Sequence, residues 1–191
     1  MSNASILMAR RKNIALAAHD HRKEELLQWA KNNFNVLRNH SLYATRGTGQ
    51  LLKHRLGLNV TLLECGPLGG DQQIGSRISE GQIDFVILFS DPLEVQPHDS
   101  DVKALLRITV VWNIPVACNR ASADFIISSP LMSTGYQRII PDYSSIMGAR
   151  GPHRVASGFA QRRTLGSGSE NRGLRKKPGQ WAWRMRSTLT I

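Results

Sequence analysis

The sequence predicts an α/β fold: a single three-layer domain built on a mostly parallel sheet of five or six strands. Two observations carry that prediction. Across residues 1–147 of the 191, short apolar runs of strand length alternate with longer stretches of helical period, the signature of βαβ units. Small and polar residues rich in Gly, Asp and His follow almost every run, as in sheets whose strand ends carry a ligand crevice. A hydrophobic content of 41 % suffices for a real core. The longest apolar runs are far shorter than the ~20 residues of a bilayer span, so no membrane is expected.

Strands are predicted at 13–17, 40–44, 60–63, 84–89 and 115–118, with a short one near 138–140. Between the first two, Leu26, Leu27, Ala30, Phe34 and Leu37 recur at helical spacing and predict a helix over about 20–35 that covers one face of the sheet. A second helix, about 70–80, follows a glycine turn. A third, about 100–112, is apolar nearly all round through Leu105, Leu106, Ile108, Val110 and Val111, which points to a subunit interface. From Gly148 the pattern stops. Residues 148–191 contain seven Gly, scattered Arg and no sustained period, and are expected to be a disordered tail. There is no internal repeat.

The formal charge of +11 invites a nucleic-acid reading, but its location argues otherwise. Residues 1–147 carry 15 Lys+Arg against 13 Asp+Glu, a net of +2; residues 148–191 carry 10 against 1, a net of +9. The body is nearly neutral, and no nucleic-acid-binding motif accompanies the tail. The first residues do not have the order of a secretory signal, and two cysteines, Cys65 and Cys118, cannot make a disulfide framework, so a cytoplasmic setting is expected.

Polar residues cluster after the predicted strands. The first is followed by His19, Asp20, His21, Arg22 and Lys23; the second by Thr45, Arg46, Gly47, Thr48 and Gly49; the third by Cys65 to Gln73; the fourth by Asp91, then His98 and Asp101. Hydroxyls and flexible N–H groups at 45–49, just before a helix, suit a phosphate, and Lys23 can supply a point charge. A second glycine loop, 66–70, can grip the same anion from the other side. Asp71 opens the next helix, where a carboxylate is also favourable for purely structural reasons. His98 and Asp101 share a helical face or else form a loop and a cap. His19, directly after a strand, is better placed for a ligand than the exposed-looking His40, His54 or His153. Jointly these groups point to proton transfer on a small phosphorylated substrate. CxxC, HExxH, GxSxG and GxGxxG are all missing, which argues against a metal, a serine nucleophile and a dinucleotide; the two cysteines are expected to be small core residues.

The segments AAHDHRK at 17–23, GPLGGDQQIGSRISEGQID at 66–84, DPL at 91–93, PHDSDVKALLR at 97–107, WNIPVACNRASADFII at 112–127 and IPDY at 140–143 together resemble the methylglyoxal synthases over about residues 10–146. The resemblance implies a Rossmann-like, methylglyoxal synthase-like domain and a cytoplasmic homohexameric lyase. Such an enzyme converts dihydroxyacetone phosphate to methylglyoxal and inorganic phosphate without metal or cofactor. By the same resemblance Asp71 is the catalytic base, His98 moves protons among substrate oxygens, and His19 and Asp101 assist. Lys23, Thr45, Arg46, Gly47, Thr48, Cys65 and Gly66 fall at phosphate-binding positions, and Asp20 and Asp91 at further polar positions.

Three departures stand out. The family usually reads Thr-Gly-Thr-Thr-Gly at 45–49, whereas positions 46 and 47 here are Arg and Gly; position 65, usually Ser, is Cys. The family closes with a helix whose arginine reaches a neighbouring subunit's phosphate, and Arg150 stands at about that distance in a Gly-Ala-Arg-Gly-Pro setting that is a poor helix former. The alternative is a non-catalytic phosphate- or effector-binding module of the same fold, which needs the phosphate grip but not the set His19, Asp71, His98 and Asp101.

Overall fold

The structure is a computed structural model that describes residues 4–95 and 97–143. Its strands are β1 (Ala4–Met8), β2 (Asn13–Ala18), β3 (Ser41–Ala44), β4 (Val60–Leu62), β5 (Phe85–Phe89), β6 (Val116–Ala117) and β7 (Tyr136–Ile140). Its helices are α1 (Lys23–Asn32), α2 (Phe34–Leu37), α3 (Arg46–Leu56), α4 (Gly70–Ser79), α5 (Asp99–Val111) and α6 (Arg120–Ser128). Strands β2 to β6 form one parallel sheet in the order β4-β3-β2-β5-β6.

Alternation along the strands divides the core into two faces. Ile14 and Leu16 of β2 pack with Leu26, Leu27, Leu52, Ala123 and Ile127, so α1, α3 and α6 cover one side. Ala15 and Ala17 pack with Ile74, Ile78, Val102 and Leu105, so α4 and α5 cover the other. Strand β5, sandwiched between both layers, is buried at all five residues, which is why FVILF reads as an unbroken apolar run. From β2 the chain steps outward to β3 and β4, then crosses back to β5 and β6 on the opposite side. That reversal opens a crevice beyond the carboxyl ends of β2 and β5.

Several expectations change. The strand near 138–140 does not join the main sheet: β7 pairs antiparallel with β1 in a separate two-stranded sheet, and β1 is a strand beyond those the sequence predicts. The helix expected over 20–35 is divided into a 3-10 turn (Asp20–Arg22), α1, a break at Asn33, and α2. Helix α6 was not anticipated; Asn119 caps it by accepting from the Ser122 N–H. Helix α5 buries one stripe, Val102, Leu105 and Thr109, and leaves Val110 on its outer side 71 % exposed. His40 is buried, not exposed, because its Nδ1 accepts the Lys12 backbone N–H at 3.1 Å. Burial and the neighbouring Lys12 and Arg11 push its pKa down, keeping it neutral. Among the described residues no helix is long and apolar enough to cross a membrane. The tail 148–191, with Arg150 and His153, lies outside the described residues.

Candidate active site

The crevice holds a narrow cleft of about 120 Å³ lined by His19, Asp20, Lys23, Thr45, Gly47, Cys65, Gly66, Pro67, Asp71 and His98 over the ends of β2 and β5. That size suits a metabolite of a few carbons and is well below the ~300 Å³ at which pockets for larger ligands begin.

Asp71 and His98 form its floor. The loop leaving β4 makes a 3-10 turn (Gly66–Leu68) and re-enters helix at Gly70, where any Cβ would run into the Glu64 carbonyl oxygen. This close approach, possible for glycine alone, sets Asp71 in the first turn of α4 with 2 % of its surface exposed. His98, at the N-cap of α5, lies 2.8 Å from it through Nδ1, so the Asp71 carboxylate accepts from the Nδ1–H and the His98 Nε2 remains for a ligand. The ring lies against Gly66, where a Cβ would overlap Cε1. Burial raises the Asp71 pKa; the charge and hydrogen bond of His98 oppose the rise, and Asp101 adds to it. A carboxylate kept basic by desolvation yet steered by an imidazole is suited to taking a proton from carbon.

His19 follows β2 and is tied to the sheet by its own N–H, which donates to Phe89 O. Its Nδ1 accepts the Asp91 N–H at 3.0 Å, so in the neutral ring the proton sits on Nε2. That nitrogen is buried with no protein partner, facing the cleft edge-on to His98 at 5.8 Å between ring centres. A buried donor without a protein partner is suited to meeting a ligand oxygen. Asp91 therefore acts through its backbone; its carboxylate accepts from the Leu93 N–H, which holds its pKa down, and lies 3.5 Å from His21 Nδ1. His21 also lies 3.3 Å from Glu94, so turn 20–22 and loop 91–95 are linked outside the cleft.

Opposite lies the anion side. Helix α3 begins at Arg46, so Thr45 is its N-cap and the Gly47 and Thr48 amides lack intrahelical acceptors, as in any first turn. Lys23 reaches over this turn: its Nζ would be 2.7 Å from a Cβ at Gly47, and it pairs with Asp20, whose pKa it lowers. Thr48 does not line the cleft; it is fully buried, and its Oγ1 accepts from the Ala18 N–H at 3.2 Å and from the Thr45 hydroxyl at 3.3 Å. Arg46 also points away, pairing with Glu64 at 2.6 Å, an interaction that raises its pKa. Cys65 is no core residue: it is half-buried and lines the cleft, while Cys118 is half-buried elsewhere.

Asp101 sits beside the cleft, accepting from Gln72 Nε2 at 3.2 Å and bordering a groove between α4 and α5. Glu64 was not anticipated; besides pairing with Arg46, its N–H donates to Gln73 Oε1, anchoring the loop that carries Cys65 and Gly66. Its signal in the sequence is its place directly before the Cys-Gly-Pro loop, opposite an unexpected arginine.

Residues 25–118 match the family described as MGS-like domain. A methylglyoxal synthase from Photorhabdus laumondii is 58 % identical over 143 residues, spanning 75 % of this chain and 94 % of that protein. One from Cellvibrio japonicus is 54 % identical over 139 residues, 73 % and 90 % of the two chains. The crystal structure of methylglyoxal synthase from Elizabethkingia anophelis superposes with a TM-score of 0.73 at 52 % identity, covering 78 % of this chain and 98 % of that one.

Proposed function

The chain belongs to the methylglyoxal synthase family, and from that membership we propose that it converts dihydroxyacetone phosphate to methylglyoxal and inorganic phosphate. The observation that carries the assignment is the buried Asp71–His98 pair at 2.8 Å facing the unpartnered His19 Nε2 across one small cleft. A module that only bound phosphate has use for Lys23 and the α3 N-terminus but none for a desolvated carboxylate, whose charge is costly to bury.

The substrate's own chemistry fixes the order of steps. Phosphate can leave only if the double bond formed by deprotonation is allylic to it, so Asp71 takes a proton from the hydroxymethyl carbon, not from the carbon bearing phosphate. Negative charge builds on the former carbonyl oxygen, where the His19 Nε2–H meets it, while the acceptor Nε2 of His98 is left for the substrate hydroxyl. The hydroxyl on the deprotonated carbon then gives its proton to His98 Nε2, which passes it to the former carbonyl oxygen; the hydroxyl's electrons form the aldehyde, the double bond shifts, and phosphate departs. The enol left behind ketonises to methylglyoxal. Lys23 and the first-turn amides of α3 hold the phosphate in line for departure and accept its growing charge.

In this assignment residues 1–147 form the catalytic domain, Thr45, Gly47 and Gly66 shape the phosphate side, and Asp101 positions Gln72 beside Asp71. Thr48 braces the loop. The enzyme works in the cytoplasm as a homohexamer without a cofactor. Phosphorus and proton NMR of an incubation with dihydroxyacetone phosphate tests it: ester phosphate should be replaced by equal amounts of inorganic phosphate and methylglyoxal. Formation of glyceraldehyde 3-phosphate without phosphate release would make the cleft an isomerase, and an unchanged spectrum would leave it a binding module.

A further inference from the structure

We infer that Cys65 is a product-sensing thiol: it adds reversibly to the aldehyde of methylglyoxal made in the same cleft and so blocks the next substrate. The inference rests on the activity proposed above. Three observations place the reaction. Cys65 lines the cleft together with Asp71, His98 and Lys23. His19, only 7 % exposed, leaves Nε2 unpartnered toward that same space, so an oxygen formed there has a waiting donor. The carbon that becomes the aldehyde is the one Asp71 deprotonates, and Asp71 shares this cleft with the sulfur.

The chemistry is self-contained. Sulfur forms a bond to the aldehyde carbon, the carbonyl π pair moves to oxygen, and the thiol proton ends on that oxygen as a hemithioacetal hydroxyl, next to the His19 Nε2–H. No oxidant or reductant takes part, and reversal restores thiol and aldehyde. A serine hydroxyl forms the equivalent adduct less readily because it is a far weaker nucleophile than a thiol. Methylglyoxal released in the cleft meets the sulfur before it diffuses away, the situation in which a small-molecule addition gains most from proximity. Cys118 provides an internal control: it lies outside the cleft, and burial pushes its thiol pKa up, which keeps it protonated.

The test uses the full chain and two readouts. Initial rates on dihydroxyacetone phosphate, with and without added methylglyoxal, should fall several-fold and recover on dilution, while Cys65→Ser and Cys65→Ala, each normalised to its own rate, should lose this sensitivity. Independently of turnover, peptide mass spectrometry after brief iodoacetamide treatment should show methylglyoxal slowing alkylation of Cys65 several-fold and leaving Cys118 unchanged. Both variants inhibited like the parent, or equal alkylation of Cys65 with and without methylglyoxal, would overturn the inference. A chain without turnover refutes the proposed activity instead, and the alkylation experiment still decides the fate of Cys65.

Discussion

The floor and the rim of the cleft are built differently. On the floor, Asp71, His98 and His19 are nearly buried and fixed by backbone: the tight start of α4 at Gly70, the Gly66 surface under the His98 ring, and the Asp91 N–H on His19. At the rim, Lys23 leans on Asp20 and Arg46 on Glu64, pairs of flexible side chains partly open to solvent and screened by salt. Of the three departures, Arg46 and Gly47 fall in the first turn of α3, at the rim, and Cys65 on the loop between the two regions. In the proposed mechanism the floor moves protons and tolerates little displacement, whereas the rim holds a departing phosphate and must release it.

Substitutions that sharpen this contrast differ in size. Asp71→Asn removes the base of the proposed mechanism and should lower kcat by about 10³-fold, within the range for general-base catalysis, as read by phosphate release. The same variant should melt no lower at neutral pH. Burial raises the Asp71 pKa in the folded state above its ordinary 3.8, so the folded protein binds that proton more tightly than the unfolded chain. The group's contribution to stability is greatest at acid pH and declines as pH climbs through the raised value, and a neutral Asn escapes the decline. For the same reason the acid limb of kcat/KM should lie above the ordinary carboxylate range in the parent enzyme.

Gly66→Ala pushes the His98 ring off its seat and should cost about 10²-fold in kcat, the scale of a 1 Å misplacement, with little change in KM. Lys23→Met removes the charge that the proposed mechanism sets against the phosphate and should raise KM by roughly 10-fold or more, leaving kcat less affected. Arg46→Ala breaks only the exposed pair with Glu64 and should leave the melting temperature unchanged within error, while salt titration of KM reports whether its charge attracts substrate. If Arg46→Ala mattered more than Gly66→Ala, the division into floor and rim would fail.

The sheet centres were legible because burial on both faces writes continuous apolar runs such as 85–89, and α1 because its buried stripe repeats at helical spacing. What stayed hidden depends on distant partners. Strand β1 exists through pairing with β7, Ser5 opposite Ile139, and no local pattern announces a partner so far along the chain. His40 looked exposed in a polar stretch because the backbone N–H that buries it belongs to Lys12. Of the site, the acid and imidazole residues at strand ends could be named from their types and places. The tautomer of His19, the retreat of Thr48 into the interior and the turn of Arg46 toward Glu64 could not, since each is set by a group on another element.

The most direct test is the initial rate of phosphate release from dihydroxyacetone phosphate, measured side by side for the intact chain and Asp71→Asn at millimolar substrate. The expected result is phosphate and methylglyoxal in equal amounts from the parent and a loss of about three orders of magnitude in a folded variant. A parent chain that releases no phosphate, or a variant that turns over at the parent rate, would contradict the assignment of the chemistry to this buried pair.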